Sequence, residues 1–260
     1  MFKDVFSFEN QSLLYSIIRP NYPDKLINDV FENCDNFNLA IDVGCGTGQL
    51  TLPLSTKFNK VIGVDGSETQ LKIPQEKFSS EKLIFKLEDA HNLEKLVDKN
   101  SCDLVICGQS FHWFDSVKFF AAVGQVLNKG GILCLAGYNL LRVMNSELHQ
   151  KSLDEFYTEI KPHFEFDREI LERKYVDYIF PFEKSSTIEY VQTNKITPTD
   201  FINYLDTFSA YRCYNKKFGF LENYADPLEK LKVQISESEV KELLIEIDFF
   251  VVILKNFVSN

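Results

Sequence analysis

Leu39-Ala40-Ile41-Asp42-Val43-Gly44-Cys45-Gly46-Thr47-Gly48-Gln49-Leu50 is the stretch on which the fold turns. A short, nearly all-apolar run enters a turn carrying three glycines and leaves it into a helix-compatible segment. That is the pattern of a strand, a tight loop and a helix, in which glycines let the backbone bend sharply and let a ligand reach contact distance beside the helix amides. A second apolar run, Val61-Ile62-Gly63-Val64-Asp65, ends on an acid 21 positions after Gly44. A carboxylate at that place can accept both hydroxyls of a ribose.

Outward from this unit, short β-branched runs alternate with amphipathic ones, the signature of βαβ units and a parallel sheet. Strands are predicted at Leu39–Val43, Val61–Asp65, Leu83–Leu87, Leu104–Cys107 and Ile132–Ala136. Each is almost wholly apolar, as strands covered on both faces are. Pro23 followed by Asp24 suits a first helical turn, after which Leu26, Ile27, Val30 and Phe31 recur at helical spacing. Asp115 is expected to cap a helix whose apolar face is Val117, Phe120, Val123 and Leu127, ended by Gly130-Gly131 before the fifth strand. Pro74 is expected to shorten or kink the helix over Thr69–Phe78. Asp89 is a candidate cap for a helix over His91–Val97.

Beyond residue 140, Ser146–Ile160 reads as helix and Thr187–Val191 as a strand, while Thr197-Pro198-Thr199-Asp200 opens a helix running through Leu205. Leu243–Leu254 is an apolar run compatible with either strand or helix. These elements are read as completing one domain over residues 1–260 and covering its ligand, with a cofactor-binding core at about 37–140 and the remainder supplying C-terminal strands and substrate-side helices.

A chain of 260 residues with 45% hydrophobic and 25% charged residues has the composition of a folded globular protein and is long enough to bury a substantial core. Lys+Arg 28 against Asp+Glu 38 leaves a net charge of −10, which argues against broad nucleic-acid or anionic-membrane surfaces, since both are polyanions. Met1–Glu9 lacks the apolar core of a secretory signal, and the apolar run Phe249–Leu254 is far too short for a membrane helix. The six cysteines form no CxxC pair, and no zinc-binding spacing is present, so reduced thiols in a cytoplasmic protein without a metal site are expected.

The glycine loop and Asp65 would serve a dinucleotide or S-adenosylmethionine, and charge separates the two. The dinucleotide pattern GxGxxG wants a glycine where Gln49 stands. Asp42, two residues ahead of the loop, would repel a pyrophosphate by about 1–4 kcal/mol at close range and would favour a ligand carrying an ammonium and a sulfonium. S-adenosylmethionine is such a ligand.

Asp42-Val43-Gly44-Cys45-Gly46-Thr47-Gly48, followed by Gly63-Val64-Asp65-Gly66-Ser67, resembles the first two motifs of the class I S-adenosylmethionine-dependent methyltransferases. Tyr15-Ser16-Ile17-Ile18-Arg19-Pro20-Asn21-Tyr22-Pro23, Gln109-Ser110-Phe111-His112-Trp113-Phe114-Asp115 and Asp206-Thr207-Phe208-Ser209-Ala210-Tyr211 together resemble the small-molecule branch that includes trans-aconitate methyltransferase. The resemblance implies an α/β, Rossmann-like, doubly wound and mostly parallel seven-stranded sheet, with helices on both faces and an N-terminal helical cap. It implies that Arg19 and Tyr22 meet the methionine carboxylate, that Asp42 faces its ammonium, and that Gly44, Cys45, Gly46 and Gly48 line the thioether and sugar. Asp65 would hold the ribose, Gly66 and Ser67 would begin the next turn, and Asp89 and Ala90 would contact the adenine. Gln109 sits at the carboxyl edge of the fourth strand, where open α/β sheets bind ligands.

Methyl transfer from a sulfonium requires mainly alignment and exclusion of water. His112 is the candidate base or hydrogen-bond donor, with a loop-orienting histidine as the alternative. Trp113 is a candidate wall of the substrate pocket or a core residue, and Arg212 a candidate anion anchor. The aromatic tail, Phe201 through Tyr224, reads as a lid or as core. The expected activity is methylation of a small polar metabolite, on oxygen and most simply at a carboxylic acid. A module that binds the cofactor without turnover, a protein or N-methyltransferase, and an NAD(P)-dependent oxidoreductase are the alternatives. Monomer and dimer are both compatible with the sequence.

Overall fold

The computed structural model describes residues 18–221, 224–236 and 238–256. Met1–Glu9 and the Tyr15-Ser16-Ile17 part of the N-terminal motif lie outside the described residues.

Five parallel strands form the first part of the sheet: β1 (Leu39–Val43), β2 (Lys60–Asp65), β3 (Leu83–Leu87), β4 (Cys102–Gly108) and β5 (Leu127–Tyr138). Three antiparallel strands complete it: β6 (Arg142–Val143), β7 (Glu183–Ile196) and β8 (Leu243–Lys255). The path runs β3-β2-β1-β4-β5-β8-β6, with β7 also paired to β8. Glu246 of β8 pairs Arg142 on one side and Thr193 on the other, while Ile253 pairs Cys134 and Ser186. The two-residue β6 therefore continues the track of β5, and the eight strands found among the described residues occupy seven columns. The ambiguous run at Leu243–Leu254 is strand because it is paired along both edges, which satisfies its backbone groups while both faces are covered.

Side-chain alternation divides β8 between two cores. Leu243, Ile245, Ile247, Phe249, Val251 and Ile253 belong to one, and Phe250, Val252 and Leu254 to the other. The first core is covered by α1 (Asp24–Glu32), α2 (Thr51–Leu54), α3 (Glu68–Phe78) and α5 (Glu147–Ile160), with α7 (Pro198–Asp206), α8 (Ser209–Phe218) and α9 (Pro227–Ser236). The second is covered by α4 (Ser116–Val126) and the short α6 (Glu169–Glu172). Leu26, Ile27, Val30 and Phe31 are the buried face of α1, as their spacing predicts. Thr197 and Asp200 form a reciprocal capping box at the start of α7.

Four local expectations are corrected. α3 runs through Pro74 without interruption, with that ring buried against the glycine loop, so packing outweighs the missing amide. α4 buries Phe119, Phe120, Ala122, Val123 and Val126 and leaves Val117 exposed, a face rotated from the expected one. It ends before Leu127, and Gly130-Gly131 lie inside β5, where Asn256 donates to the Gly131 carbonyl. His91–Val97 is not a helix: Asp89 engages the His91 amide at 2.9 Å and its ring at 2.5 Å, and only a 3-10 turn forms, at Leu93–Lys95.

Candidate functional site

Because β1 pairs β2 on one side and β4 on the other, the chain reverses its winding at β1, and a crevice opens beyond the carboxyl ends of β1 and β4. Gly44 leaves β1 with φ +69°, and a Cβ there would stand 2.4 Å from Cβ of Ser110. Glycine is required on both counts. The contact exists because the Ser110 hydroxyl donates to the Val43 carbonyl at 2.8 Å, locking the turn after β4 against the turn after β1. Gly108 is constrained in the same way: a Cβ would meet Leu50 at 2.4 Å and the Tyr22 hydroxyl at 2.7 Å.

A pocket in this crevice is lined by Arg19, Pro20, Tyr22, Asp42, Gly44, Cys45, Gly46, Gln49, Leu50, Gly108, Gln109 and Tyr138. Arg19 donates to the Thr207 carbonyl at 3.1 Å and to the Tyr138 hydroxyl at 3.4 Å, and its guanidinium carbon stands 5.2 Å from the Tyr204 ring centre and 5.0 Å from that of Phe208. Asp42 is 1% exposed; its Oδ2 accepts from the Thr51 hydroxyl at 2.6 Å, while Oδ1 is buried without a hydrogen-bond partner. Desolvation pushes its carboxyl up to about 7, helped by the Asp65 charge and opposed by Thr51. In the same lining Gln49 Nε2 is also buried and unanswered. An unpartnered acid oxygen in a glycine-built cradle fits a ligand bearing a cationic donor.

Asp65 does not line this pocket; it braces it. Its Oδ2 accepts the Gly46 amide and its Oδ1 the Ser67 amide, each at 2.8 Å. Ser67 caps α3 through Gln70, and Gly66 lies between the two. Gly48, with φ +93°, turns toward Phe85 and Pro74. Asp89 and Ala90 follow β3 outside the lining, Asp89 engaged with His91 and Ala90 buried. Gln109 adopts φ +55° and uses its side-chain amide as a strand would, donating to the Tyr138 carbonyl at 2.9 Å and accepting the Tyr138 amide at 3.1 Å.

His112, Trp113 and Arg212 are not among the lining residues. The His112 ring packs 4.0 Å from that of Phe166, with Nδ1 3.4 Å from the Tyr175 hydroxyl. Burial, and then the Arg168 charge, push its pKa down to about 3, so the ring is neutral at ordinary pH. Trp113 meets Phe166 edge-on at 4.9 Å. Arg212 is paired with Asp206 at 3.4 Å. Of the aromatic tail, Phe201, Tyr204, Phe208 and Tyr211 are core, in the same cluster as Tyr22 and Tyr138. Sequence reasoning missed Pro20, Gln49, Leu50, Gly108 and Tyr138; the last stands at the carboxyl end of β5, two residues past the predicted strand end, where ligand contacts concentrate.

The family described as methyltransferase domain matches residues 41–135. A Dictyostelium discoideum protein named as a methyltransferase is 28% identical over 218 residues, covering 83% of this chain and 80% of its own length. A malonyl-[acyl-carrier protein] O-methyltransferase of Priestia megaterium is 31% identical over 106 residues, 40% of this chain and 38% of that one. Several other curated relatives are matched over about half their length or less. Among solved structures, a type II methyltransferase-family protein from Anaeromyxobacter dehalogenans superposes with a TM-score of 0.77 at 23% identity, covering 93% of this chain and 99% of that one, a likeness of fold.

Proposed function

We propose that this chain, which carries a methyltransferase domain over residues 41–135, is a class I S-adenosylmethionine-dependent methyltransferase that methylates a small polar metabolite on a carboxylate oxygen. The observation that carries the reading is the presence, in one glycine-built pocket, of the Arg19 guanidinium and of a buried Asp42 oxygen with no partner. A cation and an acid so placed suit the two ends of an α-amino acid, which neither a pyrophosphate nor a simple anion provides.

When bound, S-adenosylmethionine supplies a methyl group on a sulfonium. In this reading Arg19 and Tyr22 hold the methionine carboxylate, and Asp42, ionised by the incoming ammonium, holds its other end. Gly44, Cys45, Gly46 and Gly48 admit the thioether and sugar. Asp65 adds the ribose hydroxyls to the two amides it already accepts, since each carboxylate oxygen has a second lone pair. Gly66 and Ser67 shape the turn beside it, Asp89 and Ala90 meet the adenine, and Gln109 fixes the floor.

A carboxylate oxygen attacks with its own lone pair, so no proton has to move and no base is needed. That agrees with a His112 ring that stays neutral down to about pH 3. Its part is to orient the loop that carries Trp113. The likeness to an O-methyltransferase supports oxygen as the accepting atom, and the net charge of −10 supports a small acceptor over nucleic acid. Cytoplasmic residence belongs to the same reading, supported by six cysteines that stand as free thiols.

The test is incubation with methyl-labelled S-adenosylmethionine and a pool of small carboxylic acids, beside calorimetry with S-adenosylhomocysteine. Label in a base-labile ester is expected. Nicotinamide-dinucleotide binding in place of S-adenosylhomocysteine binding overturns the reading of the pocket; label on nitrogen or protein overturns the reading of the acceptor.

A further inference from the structure

The chain has five arginines, and the structure accounts for four of them. Arg142 is held by Glu246 and Asp248, Arg173 by Asp167, Glu169 and Asp177, and Arg212 by Asp206. Arg19 lies in the pocket described above. Arg168 differs. It is only 8% exposed, yet no carboxylate among the described residues comes within ion-pair distance of it, and its guanidinium carbon stands 5.6 Å from the Phe164 ring centre. A buried cation without a counter-charge is destabilising unless a ligand answers it.

Two phenols lie near it. The hydroxyls of Tyr157 and Tyr204 are buried and close no hydrogen bond of full geometry, Tyr157 facing Arg168 itself and Tyr204 the Leu141 backbone, and the Tyr157 ring centre stands 6.0 Å from that of Phe164. The Arg168 charge acts on both phenols, drawing their pKa values down against the larger upward effect of burial. The Arg168 fork and the two phenol hydroxyls therefore stand around one aromatic cluster, with Glu172 acting on the Tyr157 phenol from farther off and no carboxylate among the described residues within ion-pair distance of the guanidinium. The place adjoins the cofactor pocket: Tyr204 and Phe208 form the ring pair over which Arg19 lies, and Phe208 in turn packs on Phe164 at 6.4 Å.

We propose that Arg168, with the hydroxyls of Tyr157 and Tyr204, binds a carboxylate of the methyl acceptor, and that this carboxylate is the one left unmethylated. A carboxylate received by a guanidinium fork and two phenols has its lone pairs engaged and its charge neutralised, which makes it an anchor and a poor nucleophile. The oxygen that takes the methyl group belongs to another part of the same molecule. The assignment rests on the methyl-transfer reading for the identity of its ligand, and it moves the anion anchor from Arg212, already paired with Asp206, to Arg168.

The experiment is calorimetric titration of the whole chain with succinate, glutarate and citrate, each with and without saturating S-adenosylhomocysteine. Binding of at least one acid is expected, weakened tenfold or more by Arg168→Met, three- to tenfold by Tyr157→Phe, and less than twofold by Arg212→Gln. Arg168→Lys keeps the charge without the fork and should restore part of the affinity. Thermal melting of the ligand-free Arg168→Met protein is the control for folding: an anchor predicts an unchanged or higher Tm, because an uncompensated buried charge has been removed. A lower Tm makes Arg168 a structural residue and overturns the proposal, as does absence of acid binding or equal binding by Arg168→Met. Failure of S-adenosylhomocysteine to bind, with acid binding still dependent on Arg168, counts against the methyl-transfer reading alone.

Discussion

The carboxylate of Asp65, at the end of β2, receives the amide of Gly46, in the loop after β1, at 2.8 Å, while its other oxygen receives Ser67. One side chain thereby fixes the glycine loop and the entry to α3 relative to each other. The acid that the sequence marks for a ribose is thus also a brace of the ligand-free site, and its removal acts twice.

Asp65→Ala should therefore weaken S-adenosylhomocysteine binding by roughly 30- to 100-fold and also lower stability by about 2 kcal/mol, the scale of two lost hydrogen bonds to a charged acceptor at a partly exposed site. The protein is expected to remain folded. Calorimetry and thermal melting check the two parts separately, and an unchanged affinity removes Asp65 from the site.

Gly44→Ala should destabilise the protein by about 2–4 kcal/mol, since the new Cβ meets Ser110 at 2.4 Å in a left-handed backbone. Ser110→Gly removes the atom in the way, so the double variant should recover part of the loss. A double-mutant cycle in denaturant measures the coupling. Strictly additive effects rule out the contact as the cause.

Asp42 makes the pocket pH-sensitive. Its folded-state pKa is raised from 3.8 to about 7, so the unfolded chain loses this proton first and the ligand-free protein loses stability from this group as pH rises from about 4 to 7. A ligand ammonium binds the ionised form. Affinity for S-adenosylhomocysteine should rise up to tenfold per pH unit below 7 and level off above it. Asp42→Asn should flatten that profile, weaken binding at least tenfold, and raise ligand-free stability at pH 8 by about 1–4 kcal/mol. Titrations from pH 5.5 to 8.5 and melts at pH 8 test both signs.

His112 should leave no mark on the pH profile of turnover near 6.5, because its pKa is held near 3. His112→Gln should reduce kcat by less than tenfold without changing the shape of the profile. A limb near pH 6.5 that vanishes in the variant would restore the histidine as a base.

Much of the fold was legible because parallel strands covered on both faces are continuous apolar runs, and the turns between β1 and α2 are written in glycine. All five predicted parallel strands formed, and Asp115 and Thr197 cap α4 and α7 as their residue types require. Where expectation failed, packing had decided: Pro74 inside α3, the rotated face of α4, and the short turn after Asp89 that local hydrogen bonds took from a helix.

The sequence by itself determined the parallel strands, the glycine turn and the two acids, Asp42 and Asp65, because backbone sterics and strand periodicity are local properties carried by residue type and spacing. It could not determine that burial would bring Asp42 close to neutral titration, that Arg212 would find Asp206 while Arg168 found no acid among the described residues, or that the late aromatics would become core beside Arg19. Those facts depend on which distant side chains exclude water from one another, and desolvation and pairing exist only once the chain has closed.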